Sequence, residues 1–212
     1  MVTHPELNVA RIAMPIQSLG PGRRVGLWVQ GCTIGCAGCA STDTWNPTSG
    51  LTLSVDDVAR KLGELLSTAD GLTISGGEPF QQPDALAELL RALRRDRQLD
   101  GRDVLIFTGY AAAAARRQAP HLWEQADAIV AGPYRVDRPG TAWLRSSDNQ
   151  ELVVLTAVAE ERFSVAGSGG IDIGSSGQDL VMDGLPRPGD LDRFRNLMRE
   201  RGVALDGVSW QS

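Results

Sequence analysis

Four short apolar runs in this chain each end at glycine. Val25 to Val29 feeds Gln30-Gly31, Leu72 to Ser75 feeds Gly76-Gly77, Val104 to Thr108 feeds Gly109, and Asp127 to Ala131 feeds Gly132-Pro133. Each run is short enough and rich enough in aliphatic residues to read as a buried strand. Helical patterns lie between them. Ser54-Val55-Asp56-Asp57 resembles a capping arrangement, and behind it Val55, Val58, Leu62, Leu65 and Leu66 share one helix face. Pro83 to about Arg97 reads as a second helix with Leu86, Leu89, Leu90 and Leu93 inward. Ala111 to Ala126 reads as a third, broken near Pro120, because proline lacks the donor and clashes with the preceding turn. Leu152 to Leu155 adds a further strand. Strands alternating with helices predict an α/β fold with a parallel sheet, and right-handed crossovers would curl it into an incomplete β/α barrel.

The first of these strands runs straight into the only cysteines of the chain. Cys32, Cys36 and Cys39 lie in Gly31-Cys32-Thr33-Ile34-Gly35-Cys36-Ala37-Gly38-Cys39, a C-x-x-x-C-x-x-C spacing, and the 212 residues hold 3 cysteines in all. Three clustered thiolates suit three corners of a four-iron cube, where an electron-transfer cluster takes four. A structural zinc site wants four ligands, typically in two separated pairs, and the 2 histidines, His4 and His121, lie far off in sequence. Zinc and three incidental buried thiols stand as the alternatives. Gly31, Gly35 and Gly38 suit a tightly wrapped loop, which needs unusual backbone angles.

In β/α architectures the loops after the strands build the site. Gly76-Gly77-Glu78-Pro79 is such a loop. Its two glycines let backbone approach a ligand, and Glu78 offers a carboxylate to a ligand ammonium group. Read alone, the same stretch is a glycine turn before a helix-start proline.

A net charge of -5 gives no basic field for nucleic acid, and no apolar run approaches the length of a membrane span. The start, Met1-Val2-Thr3-His4-Pro5-Glu6, shows neither a basic nor an apolar stretch of a signal peptide. With an odd, tightly spaced cysteine set, these features predict a reducing compartment, the cytoplasm, and no nucleic-acid or membrane partner.

The cysteine spacing followed by a Gly-Gly-Glu-Pro strand end resembles the radical S-adenosylmethionine superfamily. A cysteine loop ending Gly-Cys is similar, within it, to the anaerobic ribonucleotide reductase activating proteins. Trp28-Val29-Gln30-Gly31-Cys32, Thr44-Trp45-Asn46-Pro47, Leu105-Ile106-Phe107-Thr108-Gly109-Tyr110, Asp127 to Tyr134 and Leu144 to Gln150 resemble further segments of that group in order, covering about residues 8 to 155. The resemblance implies a [4Fe-4S] cluster on Cys32, Cys36 and Cys39 and S-adenosyl-L-methionine held by Gly76, Gly77 and Glu78. Gly38 takes the place where many members carry an aromatic residue beside the adenine, and Thr108 would help hold the cofactor's ribose or carboxylate, or else simply cap its strand. No side chain is implied as a catalytic acid or base.

The implied activity is reductive cleavage of S-adenosylmethionine to a 5′-deoxyadenosyl radical. The expected substrate is a backbone glycine of a partner enzyme or another protein or peptide, with an electron donor such as flavodoxin or ferredoxin. A radical enzyme acting on a small molecule or peptide, such as a deazaguanine-forming type, and a non-catalytic iron–sulfur binding module are the alternatives. In the small-molecule reading, Ser41, Thr42 and Asp43 would serve a magnesium site, or else cap the loop. Arg135, Arg138 and Arg145 would meet the cofactor carboxylate or a partner, or else lie as solvated loop charges, and Trp28 and Trp45 read as core packing.

Gly and Ser crowd the interval from Gly167 to Gly177, which predicts a boundary: residues 1-163 as the barrel and 164-212 as a C-terminal appendage. There Ile171-Asp172-Ile173 and Leu180-Val181-Met182 flank a Gly-Ser-Ser-Gly turn and read as a hairpin, followed by a helix from Leu191 to Arg201. The activating proteins can end soon after the Leu152 to Leu155 strand, so this extension is the main departure from their pattern.

Overall fold

The computed structural model describes residues 5–167, 169–176 and 179–205. Two strands open the chain, β1 (Glu6–Ile16) and β2 (Arg24–Val29), and β3 (Leu51–Ser54) leads into α1 (Val55–Leu66). Next come β4 (Gly71–Gly76), α2 (Pro83–Arg95), β5 (Asp103–Thr108), α3 (Ala112–Gln118) and α4 (Pro120–Trp123). Strands β6 (Ala128–Ala131) and β7 (Glu151–Val154) precede α5 (Ala157–Phe163), and β8 (Ile171–Ser176), β9 (Asp179–Gly184) and α6 (Asp190–Glu200) follow.

Seven strands form one sheet in the order β3-β1-β2-β4-β5-β6-β7. Only the centre is parallel: β2 pairs β4, β4 pairs β5 and β5 pairs β6 in parallel, while β1, β3 and β7 join antiparallel. The expectation of a parallel sheet therefore holds for the strands that helices connect. β1 and β3, which the hydrophobic pattern did not single out, extend it on one side. Their signals are weak for physical reasons: β1 has register shifts, one around Pro15, and β3 is an edge strand with Leu51 65% exposed.

One sheet face packs under the helices. Leu27, Val29, Leu72, Ile74, Val104, Ile106 and Ile129 meet Leu62 and Leu66 of α1 and Leu86, Leu89, Leu90 and Leu93 of α2 in a single buried cluster. Helix α1 starts where expected, with Ser54 Oγ accepting the Asp57 N–H at 3.1 Å. The third helical stretch breaks into α3 and α4 at Ala119-Pro120.

At the strand starts, Arg24 is completely buried. Its guanidinium donates to both oxygens of Asp103 at 3.1 and 2.6 Å, to Thr73 Oγ1 at 2.6 Å and to Leu72 O at 2.9 Å. Arg162 of α5 reaches the same carboxylate at 2.8 Å. Nothing in the local sequence marks this arginine as buried, since its partner is 79 residues away.

β8 and β9 pair antiparallel from Ile171↔Gly184 to Ser176↔Asp179. Gly174 and Ser175, expected in the turn, therefore lie in the ladder opposite Val181 and Leu180, and Gly177 falls outside the described residues. The hairpin is tied to β1 and the loop behind it. Asp172 Oδ2 accepts the N–H groups of Gln17 and Ser18 and the Ser18 hydroxyl, at 2.9, 2.9 and 2.7 Å, and Asp183 pairs with Arg11. Arg11 in turn lies 4.0 Å above the ring of buried Trp28.

Candidate cluster and cofactor site

The cysteine loop follows β2 and is seated on the ends of the next three strands through glycines. Gly77 N–H donates to Val29 O at 2.8 Å and Glu78 N–H to Gly31 O at 2.9 Å. A Cβ on Gly77 would lie 2.2 Å from Gly31 O, so the two backbones touch as only glycine permits. At the end of β5, a Cβ on Gly109 would meet Ile34 at 2.6 Å. Beyond β6, Val136 and the Tyr134 ring stand 3.3 and 3.6 Å from where a Gly38 Cβ would be.

The loop closes on itself at its far side. Gly31 and Cys32 N–H groups donate to Thr44 O and Trp45 O at 2.8 and 3.0 Å. Ser41 N–H lies 3.4 Å from Cys39 Sγ, and the Trp45 side chain acts on the same thiol, opposing the rise that burial imposes on it. Trp45, read from sequence as core packing, is thus a contact of the cysteine cluster. Ser41 caps a one-turn 3-10 helix, Thr42–Thr44, with Ser41 O accepting the Thr44 hydroxyl at 2.7 Å.

Three glutamines, none given a role of its own from sequence, fasten the loop. Gln81 accepts the Thr33 N–H at 3.2 Å and donates to Thr33 Oγ1 at 2.6 Å and to the Tyr110 hydroxyl at 3.0 Å. Gln82 donates to Gln30 O at 2.9 Å, and Gln30 donates to Asp43 O and Asn46 O at 3.0 and 2.8 Å. The available signal was their position, a Gln-Gln pair just after Gly-Gly-Glu-Pro-Phe and a Gln just before the first cysteine.

Glu78 and Thr108 are brought together, though not in the open posture expected of direct ligand contacts. They are 1% and 5% exposed. Glu78 Oε1 accepts the Thr108 hydroxyl at 2.8 Å and the Phe80 N–H at 2.9 Å, and Oε2 accepts the Gly109 N–H at 2.7 Å. Thr108 Oγ1 also accepts the Tyr110 N–H at 3.1 Å. Three of the carboxylate's roughly four acceptor positions are taken inside the chain, and one on Oε2 is left. The pair clasps the end of β4 to the end of β5. Of the arginines considered, Arg135 pairs with its neighbour Asp137 at 3.1 Å and Arg145 donates to Gln150 O at 3.2 Å.

Burial pushes the Glu78 carboxyl from 4.5 up to about 7, against the pull of its three donors. A carboxyl with a raised folded pKa contributes its full stability below its unfolded pKa and loses it as pH rises through the folded one. In the metal-free chain that window runs from about 4.5 to about 7, and the loss is about 3 kcal/mol. Urea unfolding at pH 5 and pH 8 is expected to show this decline, with Glu78→Gln flattening it; an increase in the Glu78 contribution toward pH 8 would contradict the sign.

The donor set fits an iron–sulfur cluster. All three thiols are free and partly buried. Burial pushes the Cys36 and Cys39 thiols up, and neighbouring acids push in the same direction: Cys39, Cys32 and Glu78 on Cys36, and Cys32 and Asp43 on Cys39. Mutually repelling acids gathered in one loop are what iron relieves when it displaces their protons. Among the described residues, no three His, Cys, Asp or Glu side chains close on a single metal ion, and a cube takes its thiolates on separate irons.

Residues 18–153 match the family described as the 4Fe-4S single cluster domain, and the chain belongs to that family. Within it, the chain is similar to the anaerobic ribonucleoside-triphosphate reductase-activating proteins. That of Enterobacteria phage T4 is 31% identical over 137 residues, 63% of this chain and 85% of the relative. Those of Vibrio cholerae and Pasteurella multocida are 31% and 32% identical, over 63% and 65% of this chain and 88% and 90% of their own length. The crystal structure of QueE from Escherichia coli overlaps 62% of this chain and 73% of its own at 19% identity and a TM-score of 0.45, a likeness too loose to carry an argument. The expected radical S-adenosylmethionine identity is borne out, and the cofactors are a [4Fe-4S] cluster and S-adenosyl-L-methionine. No helix among the described residues is long and apolar enough to cross a membrane.

The Gly77 seat gives a direct test. Gly77→Ala places a methyl group against Gly31 backbone, so the cysteine loop must move, and a displacement near 1 Å at a reacting centre costs about 100-fold in rate. Gly35→Ala is the control, since no atom lies within 4 Å of its Cβ and only its φ of 63° opposes the change, at about 1 kcal/mol. Cluster content and cofactor turnover of the two variants should diverge accordingly.

Proposed function

We propose that this chain activates a partner enzyme by generating a glycyl radical on it, as an anaerobic ribonucleotide reductase activase does. Cys32, Cys36 and Cys39 would hold three irons of the cluster, and Gly38, Gly76 and Gly77 would present backbone to S-adenosylmethionine. When bound, these cofactors supply reductive cleavage of the sulfonium to methionine and a 5′-deoxyadenosyl radical, which takes a hydrogen atom from glycine to give 5′-deoxyadenosine.

The chain's own residues bind, orient and shield. The observation that carries the reading is the direct seating of the cysteine loop on the glycine strand end, Glu78 N–H to Gly31 O at 2.9 Å, which puts both cofactor segments in contact. Glu78 and Thr108 hold that strand end to the next, and Glu78 keeps one acceptor position on Oε2 for a ligand ammonium group. In this reading the sheet is a partial (β/α) barrel with the site at its mouth, and residues 164–212 are an appendage on it. The setting is the cytoplasm, with flavodoxin or ferredoxin as electron donor.

The stretch beyond the family match, from residue 154 onward, favours a second reading with a small-molecule or peptide substrate. Anaerobic reconstitution with dithionite and S-adenosylmethionine is expected to release 5′-deoxyadenosine, and a candidate glycyl-radical partner should develop a glycine-centred electron paramagnetic resonance signal. Release without any protein radical would favour the second reading. An intact cluster with no release, even with partners present, would leave a non-catalytic binding module.

A further inference from the structure

The loop after β6 is fastened on one side and presses on the cysteine loop with the other. On the fastened side, Asn149 Nδ2 donates to Pro133 O at 2.7 Å and Gln150 Nε2 to Gly132 O at 3.0 Å. Ser147 Oγ accepts the Arg135 N–H at 3.2 Å. Gln150 is itself fixed, since its Oε1 accepts the N–H groups of Ser146 and Ser147 at 2.8 and 3.1 Å. On the pressing side, the Tyr134 backbone N–H faces the Cys36 thiol and opposes the rise that burial imposes on it. The side chains of Tyr134 and Val136 close over Gly38 at the distances given above. Val136 is 60% exposed, so it is an apolar side chain held at the surface against a glycine of the cluster loop.

We propose that residues 132–136 form a strap over the cysteine loop, that Tyr134 is a positioning residue for the Cys36 sulfur, and that Ser147, Asn149 and Gln150 act on the cluster through this strap. The inference rests on Cys36 being a cluster ligand, as proposed above. Two physical consequences follow. An N–H group directed at a cluster sulfur stabilises its negative charge, so adding an electron to the cluster becomes easier; hydrogen bonds to the sulfurs and solvent exposure are among the protein's means of setting such potentials. The ring and the valine also cover the loop at its one residue between Cys36 and Cys39 that lacks both side chain and ordinary backbone angle, Gly38 with φ 75°.

The test compares reconstituted wild type with Tyr134→Phe, Tyr134→Ala, Tyr134→Pro and Asn149→Ala. The readouts are the cluster's midpoint potential and the rate of iron loss to a ferrous chelator, with circular dichroism as the check on folding. Tyr134→Phe should match wild type in both. Tyr134→Ala keeps the N–H and loses the cover, so iron should leave roughly tenfold faster, as do metals whose outer-shell partners are cut. Asn149→Ala should speed iron loss in the same way without touching the cluster. Tyr134→Pro removes the N–H as well, and its midpoint should fall below that of Tyr134→Ala. If Tyr134→Pro misfolds, the iron-release rates of Tyr134→Ala and Asn149→Ala decide the matter. Loaded wild type with variants indistinguishable from it would overturn the strap alone. Wild type that takes up no cluster would overturn the ligand assignment and the strap with it.

Discussion

Cys36→Ala is expected to abolish the cluster's visible absorbance and all release of 5′-deoxyadenosine while leaving the fold's melting behaviour close to wild type. Cys36 is the central ligand of the proposed set and the one reached by the Tyr134 N–H. The remaining two thiols leave two irons without protein ligands where the class works with one. The fold should survive because the cysteine loop is held by groups that do not involve sulfur: Gln81 on Thr33, Gln82 on Gln30, and Gly31 and Cys32 N–H groups on Thr44 O and Trp45 O. Removing a partly buried, neutral thiol costs the metal-free chain little. Retention of a full cluster in this variant would sink the ligand assignment.

Asp103→Asn is expected to cost about 3–5 kcal/mol of stability, the loss that follows when one member of a buried ion pair is neutralised and the other keeps its charge. Arg24 and Asp103 have no exposed side-chain surface, and Arg24 has no water to turn to once its partner is neutral. A double variant, Arg24→Met with Asp103→Leu, should recover part of the loss, because a buried pair is often replaced by apolar residues at no net cost; the remainder is Arg162, which loses the same carboxylate. Denaturant unfolding of the three proteins checks this; a single variant as stable as wild type would mean the pair is hydrated in solution. Both residues sit at strand starts, the end of the sheet remote from the cysteine loop. Cluster assembly in Asp103→Asn, at a temperature where it is folded, should therefore be normal.

The contrast between these two sites says what the amino-acid order makes legible. The cysteine loop, the glycine strand ends and the apolar faces of α1 and α2 are local patterns, written in spacing and period. Arg24 is not, because a charged residue at a strand start reads as surface until Asp103 is placed opposite it. β1 and β3 were hidden by register shifts and edge exposure, and Glu78 and Thr108 by the opposite problem. Their types and positions were clear, but only the structure shows them spent on each other. Trp45 and Tyr134 belong to the same class: their approach to Cys39 and Cys36 depends on how loops fold back, which no periodicity records.

The tie between β1 and the β8–β9 hairpin bears on how the chain can be cut. The family match stops at residue 153, a natural place to end a recombinant fragment. Such a fragment would strip Asp183 from Arg11 and Asp172 from Ser18, partners 172 and 154 residues apart. It would also remove Leu185 from the face it shares with Ile16, Leu19 and Trp28. A fragment of residues 1–153 is expected to expose that face and aggregate, whereas one reaching residue 205 should not, as size-exclusion chromatography would show. Kinship and modularity thus part company in this protein: the stretch that can be recognised by descent is shorter than the stretch that can be handled as a unit.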